Sequence, residues 1–183
     1  MIDLMGGVDS FESALDELFT KEIKMKGEQH VDISGFVGVY GHGDEPGHHI
    51  PYLYNYTRSP WKTQRVISRI RNDFYHASPD GYVNNEDCGQ MSAWYVFSAL
   101  GFYPVCPGKG TYDIGTPLFE NATIHLENGK QFKVIAHKSS PESIYVHSVK
   151  LNGELLDNWQ IDHDEIMNGG ILEFDMEKKA PIR

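Results

Sequence analysis

The fold turns on the stretch Asn85-Glu-Asp-Cys-Gly-Gln-Met-Ser-Ala-Trp-Tyr-Val-Phe-Ser-Ala-Leu-Gly-Phe-Tyr-Pro104. From about Gly89 to Leu100 it offers little polar surface: Met91, Ala93, Trp94, Tyr95, Val96, Phe97, Ala99 and Leu100 predict a helix buried on most sides. Gly101 and Pro104 are its stop signals. On either side of this segment the apolar period changes, which divides the chain into two kinds of structure.

Upstream the period is helical. Phe11, Ala14, Leu15, Leu18 and Phe19 recur at i, i+3, i+4, i+7 behind a cap at Asp9 or Ser10, and Gly27 is read as ending that region. Residues 31–46 are glycine-rich and read as a loop. A helix over His49–Tyr56 follows, with Pro51 in its first turn, where a missing N–H costs least. Ser59-Pro60 opens another, with Trp61, Val66, Ile67, Ile70 and Phe74 on one face and Arg65, Arg69 and Arg71 on the other. Downstream the period is that of strands. Asn128-Gly129 and Asn152-Gly153 each sit between alternating runs and predict hairpins, and Gly169-Gly170 precedes a last strand over 171–176. The fold class is therefore α+β: residues 1–104 helical, residues 105–183 a small antiparallel β region.

Composition narrows the function. Sixteen basic against 26 acidic side chains give a net charge of −10 over 183 residues. That balance argues against nucleic-acid or anionic-membrane partners, which require clustered Lys and Arg. No run approaches the ~20 apolar residues of a membrane span, so membrane insertion is not expected. Two cysteines, Cys88 and Cys106, make neither a disulfide framework nor a zinc motif. Ten Tyr, three Trp and nine His suit a polar, uncharged ligand such as a sugar.

Two segments can carry chemistry. Gly41-His-Gly-Asp-Glu-Pro-Gly-His-His-Ile-Pro-Tyr-Leu-Tyr-Asn-Tyr56 delivers Asp44, Glu45, His48, His49 and Asn55 around the start of a helix; its plainer reading is a solvated loop whose histidines cap that helix. The second, Asn84 to Gln90, sets Glu86 and Asp87 among the amides of Asn84, Asn85 and Gln90 against the most apolar helix. Here the plainer reading makes Asp87 the helix cap. A cap explains one acid and leaves the amides over; a carboxylate held there can serve as general base towards a water, with the amides orienting a sugar's hydroxyls.

These segments, together with Pro60-Trp-Lys-Thr-Gln64, Tyr112-Asp-Ile-Gly-Thr-Pro-Leu-Phe119 and Leu151-Asn-Gly153, resemble the C-terminal motifs of glycoside hydrolase family 92, calcium-dependent, inverting, exo-acting α-mannosidases. The motifs are long, in order and spread over nearly the whole chain; Asp44, where the family often has Asn, is a single departure. The resemblance implies that residues 1–104 are helices of an (α/α)6-type catalytic barrel. It makes Asp87 the general base, with Glu86 and Asn85 in support. It also implies that Glu45, His48, His49, Asn55 and Gln90 contact the substrate, a mannose-containing glycan, and that Ca2+ holds two of its hydroxyls. The family's general acid lies in a Glu-Gly-Asn motif upstream of the Asp3–Gly7 segment. The chain thus reads as a C-terminal fragment with the base and without the acid, from a periplasmic or secreted enzyme. The residues also admit a non-catalytic carbohydrate-binding module, or a structural domain.

Barrel helices without their neighbours expose apolar faces, so self-association is expected; a clean monomer in light scattering would count against it. The chain by itself is expected to show no mannosidase turnover. Calcium-supported cleavage of an aryl α-mannoside, abolished by Asp87→Asn, would overturn that expectation.

Overall fold

The protein is described from a computed structural model covering residues 1–22 and 34–181. Helix α1, Val8–Thr20, buries Phe11, Leu15 and Phe19, the stripe its sequence period demands. Its N-cap is Gly7 rather than Asp9 or Ser10, because the Phe11 amide already bonds the Gly7 carbonyl at 3.0 Å. Asp9 sits instead in the first turn, where its charge favours the positive end of the helix. The expected stop at Gly27 lies outside the described residues.

Within the stretch read as loop, Phe36–Val37 (β1) and Tyr40–Gly41 (β2) form a two-stranded hairpin, its strands too short to show a period. A 3-10 turn at Glu45–Gly47 follows, then a 3-10 helix at Ile50–Tyr56 that carries Pro51 in its first turn as expected. Helix α2, Trp61–Phe74, buries Val66, Ile67 and Ile70. It also buries Arg71, which the helical period assigned to the polar face. Arg71, 5% exposed, donates from Nη1 to the carbonyls of Ser98 at 2.6 Å and Thr116 at 2.7 Å, so backbone oxygens rather than water face the charge, while its Nε is buried without a partner.

Helix α3, Gln90–Leu100, hides less than its composition indicated. Met91, Trp94, Ser98 and Ala99 form one buried stripe, whereas Ser92 and Ala93 are exposed and Val96 is 54% exposed. Small residues and a lone valine on the outer face made a one-sided helix look apolar all round.

Gly101 ends α3, and the chain enters strand β3, Phe102–Tyr103, which pairs with β4, Thr111–Ile114. Strands β5 (Asn121–His125) and β6 (Gln131–Lys138) form the first predicted hairpin. Strands β7 (Tyr145–Leu151) and β8 (Glu154–Leu155) form the second. Asn152 and Gly153, with φ of 53° and 86°, make the two-residue left-handed turn that suits the twist of such a pair. Strand β9 (Gln160–Asp162) joins β4, helix α4 spans His163–Met167, and β10 (Gly170–Glu177) closes the chain.

The larger sheet has the order β5-β6-β10-β7-β8. It was expected to be antiparallel and is mixed: β10 runs antiparallel to β7 but parallel to β6. The chain between β6 and β10 contains a hairpin, β9 and α4, long enough for the crossover a parallel pair needs. Central β10 buries Leu172, Phe174 and Met176 in the β core. A second core, around Tyr52, Tyr54, Ile67, Ile70 and Trp94, lies among the helices, and Phe97 packs against both. Gln64 of α2 crosses between them, its Oε1 accepting the Val146 amide at 3.0 Å.

Replacing Arg71 by Met fills the volume but strands the buried Thr116 carbonyl, while the Ser98 carbonyl keeps the Gly101 amide at 3.1 Å. Arg71→Met should cost about 2–4 kcal/mol of unfolding free energy in urea titrations.

Candidate active site

Two loops meet where the helical core reaches the surface. Asn84 Nδ2 donates to the Gly43 carbonyl at 2.6 Å, and a Cβ built on Gly43 would stand 2.7 Å from the Cβ of Asn84. Only glycine allows that approach. The Gly43 loop then winds through the 3-10 turn, with the Gly47 amide on the Asp44 carbonyl and the His48 amide on the Glu45 carbonyl. This brings the Glu45 carboxyl within hydrogen-bonding reach of the Asp87 carboxyl. Burial raises the Glu45 pKa, and the facing Asp87 and nearby Asp44 raise it further. Glu45 Oε1 is buried with no hydrogen-bond partner.

Asp87 does not cap α3. Glu86 does: its Oε1 accepts the Ser92 amide at 3.0 Å, and its own carbonyl accepts the amides of Gly89 and Met91. Burial is the largest single influence on Glu86 and pushes its pKa up, but the hydrogen bonds from Ser92 and Tyr82 together outweigh it and hold Glu86 below its ordinary pKa. The carboxylate of Asp87 is thereby left free of the helix end. Its backbone is left-handed (φ 43°), as are those of Cys88 (57°) and Gly89 (90°). A non-glycine residue there costs roughly 1–3 kcal/mol, and such strain concentrates at functional sites. Both cysteines are free and exposed.

His48 holds the two loops together from below. It is 1% exposed and both ring nitrogens are engaged inside the protein. Nε2 lies 2.9 Å from the His42 carbonyl, so Nε2 carries the proton and Nδ1 accepts from Gln90 Nε2 at 3.0 Å. Trp94 Nε1 donates to the His48 carbonyl at 3.1 Å, and Gln90 also donates to Tyr103 Oη at 3.1 Å. His42, which the motif reading passed over, stacks on His48 with centroids 4.5 Å apart and bonds Tyr40 and Tyr75. Burial, with the neighbouring His48, lowers its pKa to about 2, so it stays neutral. Burial lowers the His48 pKa as well. In this structure His48 is an internal support, and half-buried Gln90 spends its Nε2 on His48 and Tyr103; a His flanked by two glycines ahead of acids was the available sign of His42.

His49 remains partly exposed, its Nδ1 donating to the Pro46 carbonyl at 3.0 Å. Asn85 is exposed just ahead of Glu86. Glu45, Glu86, Asp87, Asn85 and His49 thus lie on the two surface loops above the His48 support.

The profile of the glycosyl hydrolase family 92 catalytic domain matches residues 1–178. The chain belongs to glycosyl hydrolase family 92. A family GH92 α-mannosidase from Bacteroides thetaiotaomicron, solved in complex with mannoimidazole, superposes with a TM-score of 0.88 at 44% identity, over 93% of this chain and 22% of that one. A family GH92 inverting mannosidase from the same organism gives 0.81 at 39% identity, over 97% and 25%. An uncharacterized secreted glycosidase of Arthroderma benhamiae is 30% identical over 98% of this chain and 21% of its own length. The chain therefore spans about a fifth to a quarter of the relatives it matches. No helix among the described residues is long and apolar enough to cross a membrane.

In this family 92 chain Asn55 does not join the Asp87 loops. Its Nδ2 donates to the Ile114 carbonyl at 2.7 Å, and it also bonds the Asp113 carboxylate. Asp113 is 1% exposed and receives Tyr56 Oη at 3.2 Å and Gln160 Nε2 at 3.4 Å. Burial raises its pKa to about 6 despite these donors. With the folded value above the unfolded one, Asp113 favours folding most below about pH 4 and loses that contribution as pH rises to about 6. The loss is about 3 kcal/mol. Buried neutral His42 and His48 pull the other way, losing stability as pH falls below their ordinary range. Asp113→Asn isolates the carboxyl: the stability difference between variant and parent should shift by that amount between pH 4 and pH 7 in denaturant titrations.

Proposed function

We propose that this chain is the base-bearing part of a calcium-dependent, inverting exo-α-mannosidase that removes terminal mannose from glycans outside the cytoplasm. The observation that carries it is the Asp87 carboxylate, released from helix capping by Glu86 and set beside Glu45 on two interlocked loops. Asp87 takes the proton of a water that attacks the anomeric carbon. Glu45, its pKa raised by burial and by the facing Asp87, stands beside the base on the neighbouring loop. Asn85 and His49 are the exposed polar groups on the same loops and orient the ring. In an inverting enzyme the acid stands roughly 6.5–9.5 Å across the sugar from the base; here it is assigned to the preceding part of the catalytic domain. The export reading draws on the secreted relative.

Calcium takes six to eight oxygen ligands. The chain offers a hard oxygen donor in Glu45, whose Oε1 is buried and unpartnered. No three His, Cys, Asp or Glu side chains among the described residues surround a common position, so this carboxylate would hold the ion jointly with water and sugar hydroxyls. When bound, the ion supplies positive charge that fixes those hydroxyls.

A chimera tests the reading, with residues 1–178 replacing the matching segment of the Bacteroides α-mannosidase. The chimera should cleave an aryl α-mannoside. Asp87→Asn should lower kcat by about 10²–10⁴ while mannoimidazole binding persists. Full activity in the Asn variant would remove Asp87 as base.

A further inference from the structure

The β region contains a cleft that the Asp87 loops do not use. It lies between β7 and the segment following β8, encloses ≈ 250 Å³, and is lined by His147, Leu155, Leu156, Asp157, Asn158 and Trp159. Its wall is held at both ends. The Leu156 amide bonds the Val149 carbonyl at 2.9 Å, and the Trp159 carbonyl accepts the Ile114 amide at 2.8 Å. Between them Asn158 Oδ1 accepts the Gln160 amide at 3.4 Å, leaving the Asn158 Nδ2 donors for a ligand. Trp159 and Leu156 are seated on the β core, whereas Leu155 is 58% exposed at the rim.

The lining identifies a ligand class. An indole and two leucines offer a flat apolar wall, and Asp157, Asn158 and His147 interleave acceptors and donors with it. A ligand with one C–H face and an edge of hydroxyls matches both. Neither Lys nor Arg lines the cleft, so phosphates and other anions lack a counter-charge. The volume falls below the ~300–1,000 Å³ of drug-sized sites, which favours a single ring over an extended ligand.

We propose that this cleft is a second carbohydrate site, holding one neutral pyranose of a glycan against Trp159. It is independent of the catalytic reading: a binding position in the β region needs neither a general base nor calcium. Affinity at one shallow ring site falls in the millimolar range, and its use is to keep a branched glycan near the enzyme.

The test is a ¹⁵N–¹H titration of the chain with methyl α-mannoside in EDTA. The proposal expects saturable shifts at residues 147–149 and 155–159 and at the Trp159 indole. Trp159→Ala should weaken binding at least tenfold. Since Trp159 touches the core, the exposed pair Asp157→Ala/Asn158→Ala provides a second variant, expected to weaken binding at least fivefold with the remaining spectrum unchanged. Three outcomes would overturn the proposal: no shifts in the cleft, cleft shifts unaffected by the Asp157/Asn158 change, or saturation by tetramethylammonium in place of the sugar. Shifts confined to the Glu45 and Asp87 loops would also overturn it, while leaving the catalytic reading standing.

Discussion

The arrangement of this chain depends on one buried imidazole. His48 gives its only proton to the His42 carbonyl, accepts from Gln90, and offers its own carbonyl to Trp94. The bonds tie the Gly43 loop to two points of α3, its first residue and its middle. Unmaking any of them leaves a polar group unsatisfied in a site too dry for water to compensate, which costs roughly 1–3 kcal/mol. His42 stacked against it is constrained in the same way by Tyr40 and Tyr75. Neutrality is part of the device, since a charge on either ring would have no counter-ion among these partners.

Rigid support below permits strain above. With the start of α3 held by Gln90, and its amides satisfied by Glu86, the turn through Asp87, Cys88 and Gly89 can adopt three consecutive left-handed conformations. The two neighbouring acids thus divide the work. Glu86 serves the helix, and Asp87 is released to face Glu45. Two carboxyls so close do not both ionise readily, and Asp87 adds to burial in raising the Glu45 pKa. At Asp113 the cause is different, for there burial by itself outweighs three hydrogen-bond donors.

The long periodic elements were legible. Phe11, Leu15 and Phe19, or Val66, Ile67 and Ile70, are buried because a 3.6-residue period places them on one side. Asn152-Gly153 turns where it should because its backbone tolerates positive φ. The parallel pairing of β6 with β10 was not legible, because strand order is a matter of long-range packing. Nor was the burial of Arg71, since only the folded chain brings the Ser98 and Thr116 carbonyls to it. The candidate acids could be named from their motifs, but not their roles: Glu86 and Asp87 are adjacent and chemically alike, and which one caps is decided by backbone dihedrals.

By itself the sequence determined the helix-then-strand order, the hairpin turns, the acidic and aromatic character, and the family resemblance carried by residues 41–56 and 85–104. These follow from local period, turn chemistry and motif, properties of neighbouring residues. Tertiary structure alone decided that His48 is internal and bonded to Gln90, that Asn55 belongs with Asp113, and that Glu45 meets Asp87. Those are contacts between residues about 40 or more positions apart in the chain, or between a side chain and a distant carbonyl, and packing brings them together where sequence distance keeps them apart.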